Sequence, residues 1–360
     1  MSLNERKNIH KNELLNGNSI AFTLLSYNQE KCIADAIAGL FKQEIPADEI
    51  IISDDGSADA SREKIKNALS SYQGTGRIVF NANEKNIGCG ANRSKVMSLV
   101  RAHYCATADG DDISLSNRIA LYHEILEKVP DAVCIMTAFE EMREGGGRVP
   151  CPMGRDIFFC GCSALYRRDL FADFDNFPAE VIDDLVLSFR ALLKGKIVFV
   201  DIPSILKREP QDPLEVMKKI LARENLVGST ILWMQQELQT HAADLPSDMV
   251  RYFNEIFARH REGALDRKYQ DKWSRYRRIV ELYSLSSWRI LEKFILAVKI
   301  SGNWKEFLKL FFLSFVFIRI LNINRKRWNK NENKEFSGTF KVVDWTDLYS
   351  GKVSWPFFQK

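Results

Sequence analysis

The seven cysteines form no C-x-x-C pair, which excludes a zinc ribbon or a thioredoxin-like redox centre. Cys160-Gly161-Cys162, the closest two, lie in an apolar stretch and read as core packing. Histidine is scarce, at five residues, and no His/Cys cluster competes for a soft metal. Residues 1–18 are polar and lack an apolar h-region, so no secretory leader is expected and a reducing cytoplasm fits the unpaired cysteines. Long hydrophobic runs are missing too: Leu310–Ile318 covers nine residues, against the ~20 that span a bilayer. There is no internal repeat and no low-complexity tract. An excess of one charge is also absent, since +4 over 360 residues is too mild for a nucleic-acid binder. With 46% hydrophobic and 27% charged residues the chain buries a core and is not disordered by composition.

The mild average conceals a split. Between Arg261 and Glu335 stand 18 Lys and Arg against 8 Asp and Glu, a net of +10, which leaves −6 for everything else. Two or three domains are expected from the length.

Strands and helices alternate through the acidic part. Ser19–Leu25 is a short apolar run that reads as a buried strand, followed by a helix over Gln29–Gln43 with Ile33, Ala36, Ile37, Leu40 and Phe41 on one face. Glu49–Ser53 is a second strand, Asp59–Ser71 a helix, Arg77–Phe80 a third strand, Gly88–Arg101 a helix and His103–Ala108 a fourth strand. This order predicts an α/β domain on a largely parallel sheet. Ligands of such sheets sit outside the carboxyl ends of the strands. Two acidic clusters fall at such ends: Asp54-Asp55-Gly56-Ser57, and Asp109-Gly110-Asp111-Asp112. After Pro213 the pattern turns to long helices with no clear strand, and Asn329–Gly338 reads as a linker before an aromatic tail.

Asp-x-Asp-Asp after a buried strand suits Mg²⁺ or Mn²⁺, which take carboxylate oxygens with substrate phosphates completing the shell. The same residues also serve as a solvated loop that leads into the helix near Ser116. Asp54-Asp55 can accept from nucleobase N–H or ribose hydroxyls, or can simply cap a turn in which Gly56 supplies positive φ. Tyr27, at the end of the first strand, is placed to stack on a base or to pack.

Taken in order, these pieces resemble the family 2 glycosyltransferases. The blocks are Ser26-Tyr27-Asn28-Gln29-Glu30; Glu49 to Ser57 with Asp59; Asn86-Ile87-Gly88 with Arg93; and Ala108 to Asp112. They continue with Gly161 to Arg168 and with Asp183-Asp184-Leu185-Val186-Leu187-Ser188-Phe189-Arg190, so that the resemblance covers residues 18–208. It implies a GT-A fold and inverting transfer of a sugar from a nucleotide-diphosphate donor, of UDP or dTDP type, to a glycan or lipid-linked hydroxyl. By position, it implies Tyr27 on the donor base, Asp54 or Asp55 on base or ribose, and Arg93 reaching the nucleotide. Asp109 and Asp111 become the D-x-D pair, with Asp111 or Asp112 on the metal, and Asp184 becomes the catalytic base. Read without the resemblance, Asp183-Asp184 is an acidic helix start favoured by the dipole.

Some family features are missing. The first acidic member before the base is Asp183, where Glu is frequent. Leu206-Lys207-Arg208-Glu209-Pro210 holds none of the histidine that many relatives carry there, which leaves Lys207 or Arg208 to contact the diphosphate. The Q-x-x-R-W block of processive synthases is absent, favouring single addition. No Gly-rich, basic phosphate loop follows the first strand, which counts against a nucleotidyltransferase. A second rival is a non-catalytic scaffold, opposed by the intact Asp111, Asp112 and Asp184.

The basic half carries a stripe, Leu291, Phe294, Ile295 and Val298, flanked by Arg289, Lys293 and Lys299, and then Arg325-Lys326-Arg327-Trp328. Basic residues beside apolar and aromatic ones predict helices lying on an anionic membrane face. The expected organisation is a polar extension at 1–18, a transferase domain at 19–210, basic helices at 211–328 and a tail at 329–360.

Overall fold

A computed structural model of the chain describes residues 18–142, 146–151, 161–208, 213–264, 336–350 and 352. The chain divides into two units, one of residues 1–208, 229–252 and 335–360, the other of residues 209–228 and 253–334. The predicted membrane-face segment at 288–328 lies outside the described residues. Among the described residues no helix is long and apolar enough to cross a membrane.

The first unit is built on a ten-stranded sheet. Strands β1 (Ile20–Ser26), β2 (Glu49–Asp54), β3 (Arg77–Ala82) and β4 (Tyr104–Asp109) follow one another through helices α1 (Ile33–Phe41), α2 (Ser61–Ser70) and α3 (Cys89–Ser98). β1 is buried along its whole length, which is why it reads as a continuous apolar run rather than an alternating one. It lies between β2 and β4, parallel to both. β3, at the end of the sheet, is only partly buried. α1 covers the sheet with Ile33, Ala36, Ile37 and Leu40, spaced as one helical face demands.

The remaining strands make the sheet mixed. They are β5 (Ile113–Ser114), then, after α4 (Arg118–Lys128), β6 (Ala132–Met142), β7 (Arg148–Cys151), β8 (Ala164–Arg167) and β9 (Lys196–Arg208). β8 runs antiparallel between β4 and β6, while β6 and β9 are parallel. Helices α5 (Asp169–Ala172) and α6 (Asp183–Lys194) lie between β8 and β9 in the chain. β5 pairs with the far end of β9, Ile113 opposite Leu206, bringing Lys207 and Arg208 beside the acidic loop.

α7 (Pro213–Thr240) and α8 (Ser247–Ala264) follow. Within the first unit, Arg190 of α6 forms a buried ion pair with Glu237 of α7 and donates to the carbonyls of Leu170 (3.0 Å) and Asp175 (2.6 Å). The tail corrects the expectation of no strand after Pro213. Phe340–Val343 is a strand, β10, antiparallel to β9, and Ser337 anchors it by donating to Asp201. Four residues are too few to display a period, and the edge of β9 supplies the partner that local pattern cannot reveal. Helix α9 (Trp345–Tyr349) starts on an Asp344 capping box.

Candidate active site

The β1 register places Ser26 opposite Asp54 and Leu25 opposite Asp109, so both acidic ends flank the end of the central strand. Their surroundings differ.

Asp54 is fully buried, accepts from Ser57 N–H at 3.0 Å and from the Ser57 hydroxyl, and pairs with Arg62. Asp55 is also buried. It accepts from Asn83 Nδ2 (2.9 Å) and from the backbone N–H groups of Ile87 and Gly88 (both 3.0 Å). The first acidic end thus fastens the Asn86-Ile87-Gly88 loop to β2. Gly56 has φ +76°, and a Cβ there would lie 2.4 Å from Asn86 N, so the turn admits only glycine. Tyr27 stands beside this end, exposed at 48%.

At the second end, Asp109, Asp112 and Cys162 each bring one ligand atom to within 4.8 Å of the others. Burial pushes the Asp112 carboxyl up to about 7, with the charge of Asp111 adding and Lys207 opposing. Burial also raises Asp109, Arg93 pulls it down, and the charges of Asp111 and Asp183 push it up. Asp112 accepts from Arg208 N–H at 3.0 Å, the contact that the β5–β9 pairing provides. Lys207 Nζ stands 4.0 Å from Cys162 Sγ. Asp111 is not part of the three-residue group, and its charge is felt at Cys32, before α1.

The base candidate meets this cluster through a glycine. A Cβ on Gly161 would lie 2.7 Å from the Cβ of Asp184, so the missing side chain lets the start of α6 close on the residue preceding Cys162. Arg93 is buried and donates to Asp183 Oδ2 at 2.9 Å, to Asp109 Oδ1 at 3.3 Å and to the Thr23 carbonyl at 3.3 Å. The structure therefore gathers Arg93, Asp109, Asp112 and the Asp183-Asp184 helix start. Asp54 and Asp55 form the separate, internally bonded end.

Two residues escaped the sequence reading. Cys162 gave no signal beyond apolar surroundings, because the pairing of β8 with β4 is what brings its thiol to Asp109. Arg118 looks like a surface residue of Ser116-Asn117-Arg118-Ile119, yet it is fully buried. Its Nη2 donates to the carbonyls of Thr107 (2.7 Å) and Cys162 (2.8 Å), its Nη1 to Ser114 Oγ (3.0 Å) and its Nε to Tyr122 Oη (3.0 Å). It joins β4, two residues before Asp109, to the turn that carries Cys162.

A mixed, mostly parallel sheet with acidic carboxyl ends around its central strand defines this unit as a GT-A-type domain. Residues 24–150, which include Arg93 and the acidic ends of β2 and β4, match the model of glycosyl transferase family 2. An uncharacterized protein of Mycobacterium tuberculosis is 30% identical over 197 residues, 49% of this chain and 54% of its own length. The chain thus spans about half the length of that relative. The UDP-Glc:α-D-GlcNAc-diphosphoundecaprenol β-1,3-glucosyltransferase of Escherichia coli is 27% identical over 109 residues, 30% of this chain and 41% of the enzyme. Among solved structures, S. aureus TarS is similar in fold with a TM-score of 0.50 at 17% identity, over 81% of this chain and 54% of TarS.

Proposed function

We propose that this chain is an inverting glycosyltransferase that moves a sugar from a nucleotide-diphosphate donor to an acceptor hydroxyl. The observation that carries the reading is the approach of Asp184, across Gly161, to the group formed by Asp109, Asp112 and Cys162. A sugar hydroxyl is a weak nucleophile, and a carboxylate within hydrogen-bond reach takes its proton as it attacks C1. Asp184 is that base. The Asp109 and Asp112 carboxylates fit a hard divalent ion, and a cation offsets the burial and neighbouring negative charge that lift both carboxyls. When bound there, Mg²⁺ or Mn²⁺ supplies Lewis acidity for the departing diphosphate. Asp111, whose charge acts on both Asp109 and Asp112, would add a further carboxylate for the ion. Lys207 stands ready for the diphosphate oxygens. Exposed Tyr27 offers its ring to the donor base, and the β2 end, its backbone held in place by Asp54 and Asp55, forms the base and ribose edge.

A donor of UDP or dTDP type, a glycan or lipid-linked acceptor in surface-polysaccharide assembly and a peripheral place on the inner membrane face complete the reading. The similarity to a glucosyltransferase named for a diphosphoundecaprenol-linked sugar supports the lipid-linked acceptor. The test is a thermal-shift screen of nucleotide sugars with and without Mn²⁺, followed by donor hydrolysis. One donor that raises the melting point in a Mn²⁺-dependent way and is hydrolysed supports transfer. Binding without hydrolysis or transfer selects the scaffold reading instead.

A further inference from the structure

We propose that Arg93 is a positioning residue, a buried strut that ties the start of α6, and with it Asp184, to the acidic end of β4. This replaces the nucleotide contact implied by its place in the motif, and it rests on Asp184 acting as the base.

All three guanidinium nitrogens of Arg93 are engaged by the protein: Nε by Asp183, Nη1 by the Thr23 carbonyl and Nη2 by Asp109. At 3% exposure it has little surface left for a ligand. Burial works against its charge, and Asp183, followed by Asp109, more than offsets that cost. A planar fork with several donors can hold two carboxylates and a carbonyl at once, where a lysine presents a single point charge.

The helix that carries Arg93 is also the seat of the segment leading into α6. A Cβ on Gly90 would lie 2.3 Å from the Pro178 carbonyl oxygen, and Ser94 Oγ donates to the Phe177 carbonyl at 3.3 Å. From the other side Thr230 Oγ1 accepts from Ile182 N–H at 2.9 Å. The first turn of α6 is therefore held on both flanks, and the Arg93–Asp183 pair sets its rotation. Successive helical residues point about 100° apart, so fixing Asp183 on Arg93 directs Asp184 elsewhere, where it meets Gly161. Asp183 thereby gains a function. Its shorter side chain is matched to an arginine already engaged with Asp109. Misplacing a reacting group by about 1 Å costs on the order of a hundredfold in rate, so the strut matters to turnover without touching substrate.

The test uses the full chain with R93K, D183A, R93K/D183A and R93K/D183E, the first three closing a double-mutant cycle and the glutamate restoring the reach that lysine loses. Binding of UDP is measured by calorimetry and transfer at saturating donor, with thermal melts confirming the fold. R93K and D183A are expected to lower kcat tenfold or more, with the UDP Kd changed less than threefold. R93K/D183E should regain at least threefold of the kcat lost in R93K. Weakened UDP binding in R93K with kcat unchanged would overturn the strut, as would wild-type kcat in D183A or no recovery in the double variant. If the wild-type chain transfers no sugar at all, the functional reading fails on its own. The strut is then read from the melts, where positions 93 and 183 must be non-additive, and additive effects refute it.

Discussion

The two acidic ends flanking β1 are neighbours in the sheet and alike in composition, yet they are opposite in electrostatic character. At β2, Asp54 and Asp55 are surrounded by donors: Ser57, Arg62, Asn83 and the N–H groups of Ile87 and Gly88. At β4, carboxylates face carboxylates, and burial with mutual repulsion lifts Asp109 and Asp112. The first end uses its charge to hold a loop; at the second, Arg93 on Asp109 and the Arg208 N–H on Asp112 offset only part of the charge gathered beside Asp184. A perturbed carboxylate cluster in this setting marks chemistry, whereas a saturated one marks architecture.

The sharpest way to break this contrast acts on the base. Asp184→Asn should leave folding and donor binding intact while lowering transfer by about 10²–10⁴-fold, the contribution typical of general-base catalysis. A radiolabelled-sugar transfer assay measures it, and near-normal turnover would remove Asp184 from the mechanism. Asp55→Ala should act on stability instead. It strands the Ile87 N–H, while Gly88 N–H keeps Asn86 Oδ1, a loss of about 1–3 kcal/mol for the one unsatisfied group. Urea unfolding reads it, and an unchanged midpoint would deny the end its fastening role. Gly56→Ala should cost about 1–2 kcal/mol through its positive φ and the clash with Asn86 N.

The smallest effect has the opposite sign. In EDTA, Asp112→Asn should stabilise the protein at pH 8. The folded carboxyl is raised to about 7, so the unfolded chain releases that proton first and wild-type stability falls as pH rises from about 4 to 7. The variant should lose that slope, visible as a flatter plot of melting temperature against pH. An unchanged slope would show that Asp112 is not strained.

Much of the sheet was legible because its signals are local. Apolar runs such as Ile20–Leu25 and Glu49–Ser53 are buried central strands, and the observed β1 and β2 differ from the expected limits by one residue at most at each end. The strand Phe340–Val343 was not legible, since its hydrogen bonds depend on β9, over a hundred residues away. The site was legible as a set of candidates, while the partners of those candidates were not. Arg93 meets an aspartate 90 positions downstream, and Asp55 meets backbone groups 32 and 33 positions away. Arg118 and Cys162 carried no local mark at all.

The sequence by itself determined the alternation of strand and helix, the placing of aspartates at strand ends and the segregation of +10 from −6. Each of these follows from residue order, because periodicity, turn chemistry and charge counts need no distant partner. Only the tertiary structure decided which carboxylates are neutralised by donors and which are forced together. A carboxylate's energy in a protein is set by what lies within a few ångströms of it, and those neighbours arrive through sheet pairing and helix packing rather than through adjacency in the chain.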